Sequence, residues 1–77
     1  MLETRIKQVM SQVLGIPAET IGENTSPDTV ENWDSLRHMN LIMALEEAFD
    51  LSFTEEQMVE MLNYPLILET IKEVKGW

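Results

Sequence analysis

The chain has 77 residues, no cysteine and a formal net charge of −9. That length makes one domain with a modest core, expected to span residues 1–77, and with no thiol and a single histidine it builds neither disulfides nor a structural zinc site. Its 44% apolar content excludes disorder along the whole length, no apolar run approaches membrane-spanning length, and the twelve acids set against Arg37 alone between residues 8 and 71 repel nucleic-acid backbones and anionic lipid.

A partner with a basic patch is steered toward such a surface instead, with a strong salt dependence; the plainer role of the charge is solubility. Met1-Leu2-Glu3-Thr4-Arg5 lacks the basic start and apolar block of a signal peptide, so a cytoplasmic protein is expected.

The dominant period is helical. Leu2, Ile6, Val9, Met10, Val13 and Leu14 recur at steps of three and four and predict a first helix over residues 2–14. Gly15 closes it and Pro17 follows, as is usual beyond a helix C-terminus. Residues 15–34 hold Gly15, Pro17, Gly22 and Pro27 among Asn24, Thr25, Ser26, Asp28 and Asn32, and read as a long ordered loop with at most one turn of helix. Loops of that length in so small a domain are usually functional. A second helix is predicted from Asp34 or Ser35 to Asp50. Thr54-Glu55-Glu56-Gln57 is a capping-box pattern that opens a short third helix, with Met58, Met61 and Leu62 facing in. Asn63-Tyr64-Pro65 reads as a cap with proline at a first helical position, and the last helix carries Leu66, Ile67, Ile71 and Val74. With no strand pattern or repeat, the expected fold is all-α, a small four-helix bundle with a long first loop and a short third helix.

The second helix divides into two faces. At about 100° per residue, Leu41, Ile42, Leu45, Ala48 and Phe49 share an arc with His38 and form the core face. The opposite arc holds Leu36, Met39, Met43, Glu46, Glu47 and Asp50. A purely solvated face has no thermodynamic reason to carry Leu, Met and Met, so an apolar stripe rimmed by carboxylates reads as a contact surface. Methionine suits a surface that repacks against several partners. The alternative is that another helix of the bundle covers the stripe. Ser35 lies on the boundary of the two arcs, where a serine is either a helix cap or a modification site.

Catalysis by the chain itself is not expected. Asp34, Ser35 and His38 supply the residue types of a triad, but all three fall on one helical turn with no glycine-rich oxyanion loop. Glu46 and Glu47 point in different directions, unsuited to paired acid–base work. The acids of residues 28–34 and 50–56 lack the alternation and central glycine of a calcium loop.

The segment Asn32-Trp33-Asp34-Ser35-Leu36 resembles the attachment motif of the phosphopantetheine-dependent carriers, the family of acyl, polyketide and peptidyl carrier proteins, whose usual form is Gly-x-Asp-Ser-Leu or Met. Leu41-Ile42-Met43-Ala44-Leu45-Glu46-Glu47-Ala48-Phe49-Asp50 resembles the family's recognition helix, and Leu14-Gly15-Ile16-Pro17 and the chain length also fit. The resemblance covers essentially the whole chain. It implies a non-catalytic acyl carrier that receives 4'-phosphopantetheine from coenzyme A on Ser35, through a separate magnesium-dependent phosphopantetheinyl transferase. It implies acyl-loading and acyl-transferring enzymes with basic docking patches as partners, in fatty acid or polyketide biosynthesis, and a monomer. Asp34 and Leu36 flank the attachment position. Leu36, Met39, Met43, Glu46 and Glu47 match positions that face partner enzymes. His38 matches a position at the mouth of the bundle, where an acyl chain enters, although a lone histidine on an apolar face is more simply a satisfied core residue. Trp33 reads as a packing anchor for the loop.

Two departures stand out. Asn32 replaces the usual glycine, which the backbone accepts if the position is left-handed. Arg37 and Asn40, with Trp33, make the start of the helix unlike that of housekeeping fatty-acid carriers and point to a specialised pathway. The rival from another class is a small acidic interaction module that binds a basic partner with no prosthetic group.

Overall fold

The computed structural model describes residues 2–77, in the order α1 (Leu2–Leu14), a single 3-10 turn (Ala18–Thr20), α2 (Ser35–Phe49), α3 (Glu55–Glu60) and α4 (Tyr64–Lys75). The architecture is the expected all-α bundle, with a long first connection and a short third helix.

Gly15, at φ +69°, ends α1 by donating its N–H to the Ser11 carbonyl at 2.8 Å. The left-handed conformation is open to glycine at no steric cost. α1 lies along α2, burying Ile6, Met10 and Leu14 against Leu41, Ile42, Leu45 and Phe49. α4 adds Ile67 and Ile71, both fully buried, and closes the core. Each large aliphatic side chain so buried stabilises the fold by about 1.5–3 kcal/mol.

The long loop is ordered because its apolar residues are part of that core. Ile21, Val30 and Trp33 are all buried. Between them the backbone is folded by local bonds: Val30 N–H to the Ser26 carbonyl at 2.9 Å, and Gly22 N–H to the Thr25 hydroxyl at 2.8 Å. Thr25 is itself buried, and its carbonyl receives the Tyr64 N–H at 3.0 Å, tying the middle of the loop to the start of α4.

α3 opens with the predicted capping box, in which the Thr54 hydroxyl accepts from Gln57 N–H and the Gln57 side chain accepts from Thr54 N–H. Leu62 departs from the sequence expectation: it is 51% exposed. The helix stops at Glu60 and the Leu62 N–H turns back to the Glu60 carbonyl at 2.9 Å, so the helical period that aimed Leu62 inward no longer applies. Met61 stays buried and Met58 half-buried. Asn63 caps α4 by accepting from Leu66 N–H at 2.9 Å, with Pro65 in the first turn.

Most of the scarce basic side chains are engaged within the chain. Arg5 lies over the Phe49 ring, Lys7 over Tyr64 and Lys75 over Trp77, while Arg37 donates to a backbone carbonyl. These contacts fix the side chains without neutralising them; the surface stays acidic because five basic residues face fourteen acids. Among the described residues no helix is long and apolar enough to cross a membrane, and no group of three or more His, Cys, Asp or Glu is placed to hold a metal ion.

Candidate functional site at the start of the second helix

Asp34, not Ser35, caps α2. Its backbone is extended (φ −103°, ψ −176°) and its Oδ1 accepts the Arg37 N–H at 2.8 Å. A carboxylate there satisfies one of the orphan donors and complements the positive end of the helix dipole. Ser35 takes the first helical position with its side chain exposed, and the cap is made without its hydroxyl.

The residues on either side hold the end of α1. Asn32 Nδ2 donates to the Leu14 carbonyl at 3.2 Å, and Arg37 Nη1 donates to the Val13 carbonyl at 3.0 Å. Both carbonyls belong to the last turn of α1, where no intrahelical donor remains for them. Asn32 does not meet the condition of a left-handed backbone: among the described residues the positive-φ non-glycine position is Asp50, at φ 52°. Asn32 thus stands at the usual glycine position for its side chain, which reaches α1, and not for its backbone.

Behind Ser35, Trp33 and His38 form one unit. The Trp33 indole N–H donates to His38 Nδ1 at 3.0 Å, and the rings are stacked with centroids 6.1 Å apart and planes at 25°. His38 Nε2 lies 2.8 Å from the Met58 carbonyl oxygen. With Nδ1 accepting, the neutral ring must carry its proton on Nε2 and donate it to Met58. The histidine is therefore satisfied on both sides, in keeping with the simpler expectation for a lone histidine on an apolar face. Trp33, 4% exposed, is the loop's anchor in the core.

An open cleft of about 450 Å³ runs beside Ser35, walled by Pro27, Trp33, His38, Met39 and Leu62, with Asp34 at its edge. From its rim the outer face of α2 continues with Leu36 at 72%, Met39 at 48% and Met43 at 62% exposed. Among the described residues no neighbouring helix covers that stripe. Glu47 is exposed beside it, but Glu46 is half-buried, with Oε2 accepting the Phe53 N–H at 2.8 Å. Glu46 thus braces the connection between α2 and α3, a role that helical spacing alone does not reveal. Sequence reasoning misses Met58 and Phe53 as partners of His38 and Glu46 because they act through backbone groups, which leave no trace in residue type.

Comparison with known proteins places most of the chain in one family. Residues 4–71 match the family model described as the phosphopantetheine attachment site. The chain is 32% identical over 75 residues to the acyl carrier protein of Chlamydia caviae, covering 97% of both chains. It is 40% identical over 62 residues to the acyl carrier protein of Buchnera aphidicola from Schizaphis graminum, covering 80% of this chain and 77% of that one. A second Buchnera aphidicola acyl carrier protein, of the subspecies Baizongia pistaciae, matches at 32% identity over 72 residues, with 94% of this chain and 92% of the relative covered.

Proposed function

The chain belongs to the phosphopantetheine-bearing acyl carrier family, and on that premise we propose that Ser35 is the residue that carries the arm. As a family member it is a non-catalytic carrier and a substrate of a phosphopantetheinyl transferase. We read residues 1–77 as one carrier domain.

The observation that carries the proposal is the division of labour between Asp34 and Ser35. The cap is made by Asp34, so the exposed Ser35 hydroxyl is not spent on the helix. The site fits the group. A phosphodiester on Ser35 lies at the positive end of α2, among backbone N–H groups that have no intrahelical acceptor. The Asp34 carboxylate is turned to Arg37 N–H, which lessens the repulsion an adjacent acid offers a phosphate. The cleft along Trp33, Met39 and Leu62 supplies apolar surface for the part of the arm beyond the phosphate. When bound, the group supplies a terminal thiol that holds an acyl group as a thioester. Asp34 and Leu36 frame the attachment point for the transferase.

The exposed stripe of Leu36, Met39 and Met43 with Glu47 supports docking of acyl-loading and acyl-transferring enzymes that present basic patches. Glu46 belongs to that surface only at its margin. The finer part of the reading is a specialised biosynthetic pathway in the cytoplasm. Its support narrows to Asn40, because Arg37 has structural work at the end of α1 and Trp33 in the core.

The test is modification in vitro. Incubation with coenzyme A and a broad-specificity phosphopantetheinyl transferase should add the mass of one phosphopantetheine, and Ser35→Ala should take up none. Undiminished modification of Ser35→Ala defeats the assignment.

A further inference from the structure

We propose that Met39 and Met43 form a reversible oxidation site, at which oxygen transfer from a hydroperoxide turns the outer face of α2 polar and weakens partner docking while the fold is left standing. The effect on partners rests on the reading that this face docks them; the oxidation itself does not.

The sequence holds six methionines and no cysteine. In the unmodified chain, methionine sulfur is therefore the side-chain group most open to a peroxide. The fold sorts these sulfurs. Met10 and Met61 are at 0% exposure within the core cluster, and Met58 is half-buried against it. Met39 and Met43, at 48% and 62%, stand one helical turn apart on the outer face of α2 and take no part in that cluster. An oxidant arriving from solvent meets the docking face first and the core last.

The step asks for no catalytic group from the chain. A sulfur lone pair attacks one oxygen of hydrogen peroxide. The O–O bond breaks as the S–O bond forms, and the departing oxygen leaves as water after taking up the proton of the transferred one. Sulfur is oxidised by two electrons and the peroxide is reduced by two. A dithiol reductase reverses the change by supplying two electrons and two protons, which return the thioether and water. The sulfoxide is chiral at sulfur, so full recovery takes reductases of both epimer specificities.

The new oxygen is a strong hydrogen-bond acceptor where the thioether is a weak one. On the free carrier water solvates it. Under a docked partner it is buried against apolar surface with no donor, and the lost hydration opposes binding. The bundle is spared, because α2 packs on the core through Leu41, Ile42, Leu45 and Phe49 on its other face. The sulfurs whose oxidation would open the core, Met10 and Met61, are the ones the fold encloses. A partner seated on α2 covers Met39 and Met43, so the free carrier is the form that oxidises.

The test treats the unmodified chain with hydrogen peroxide and maps each added oxygen by peptide mass, so that Met1, outside the described residues, is counted separately. Met39 and Met43 should gain oxygen before Met58, and Met10 and Met61 last, with the helical CD signal unchanged once the first two have reacted. The KM of a broad-specificity phosphopantetheinyl transferase for the chain should then rise about fivefold or more, and fall back after reductase treatment. The double variant Met39→Leu with Met43→Leu, compared with itself before and after peroxide, should show no such rise. Oxidation of Met10 or Met61 as fast as Met43, or loss of helical signal with the first two oxygens, overturns the site. An unmoved KM, where Met43→Glu does raise it, overturns the effect on docking. If Met43→Glu is equally without effect, the docking face itself is misassigned, and the proposed effect on partners falls with it.

Discussion

Arg37 and Val13 meet across the end of α1: the guanidinium Nη1 donates to the Val13 carbonyl oxygen at 3.0 Å. Asn32 does the same for Leu14 at 3.2 Å, from the other side of Ser35. Two residues that look like departures from the family's motif are thus side-chain caps for a helix elsewhere in the sequence.

Restoring the motif should therefore harm this chain. Asn32→Gly removes the bond to Leu14 and adds backbone freedom to the unfolded state, together lowering stability by about 1–2 kcal/mol. Urea denaturation checks it, and a variant as stable as the parent would show that the Leu14 contact contributes nothing.

Asp34 carries a cap that other residues can imitate. Asp34→Ala should lose about 1 kcal/mol, whereas Asp34→Asn, an equally good cap, should stay within about 0.5 kcal/mol of the parent. If the asparagine variant folds normally but is modified more slowly by the transferase, the charge of Asp34 acts in recognition. Equal loss in both variants would rule out the capping role.

Tyr64 presents a buried hydroxyl that no protein group satisfies among the described residues. Burial, and then the negative charge of Glu3, hold its phenol above the usual value of 10.0. The raised value means that the folded state keeps the proton more tightly than the unfolded one. This contribution is constant below about pH 10 and is lost as pH rises past that point toward the folded value. Tyr64→Phe should match or exceed the parent's stability at neutral pH, by up to about 1 kcal/mol, and should flatten the alkaline decline. Denaturation at neutral pH and along an alkaline series measures both.

Glu46 and Glu47 are neighbours with different work. Glu46→Ala frees the Phe53 N–H and should lower stability by about 1–2 kcal/mol, while Glu47→Lys, on the exposed face, should change it by less than about 0.5 kcal/mol. Glu47→Lys should instead raise the KM of a basic partner enzyme, with the effect shrinking in high salt. Partner kinetics indifferent to Glu47→Lys would move the docking surface away from this end of α2.

Much of this molecule is legible in its sequence because its determinants are local. The four-residue spacing of Ile6, Met10 and Leu14, the Thr54–Gln57 capping box and the Asn63 cap all act within a turn or two of themselves, and each appears where spacing puts it. Leu62 escapes the pattern for a reason that is also local, since the helix ends two residues before it and hydropathy does not mark that stop. The contacts around Ser35 are of another kind. Asn32 to Leu14, Arg37 to Val13 and His38 to Met58 all end on backbone carbonyls far along the chain, and a carbonyl is the same in every residue. No residue pattern announces such a partner; only the fold brings it near.

The cap at Asp34 has one more consequence. Since the hydroxyl of Ser35 takes no part in closing the first turn of α2, an enzyme that loads Ser35, as proposed, should meet a finished surface with nothing to pry loose. Such an encounter should be rigid-body, its rate falling with salt where the enzyme presents a basic patch and not tracking local unfolding.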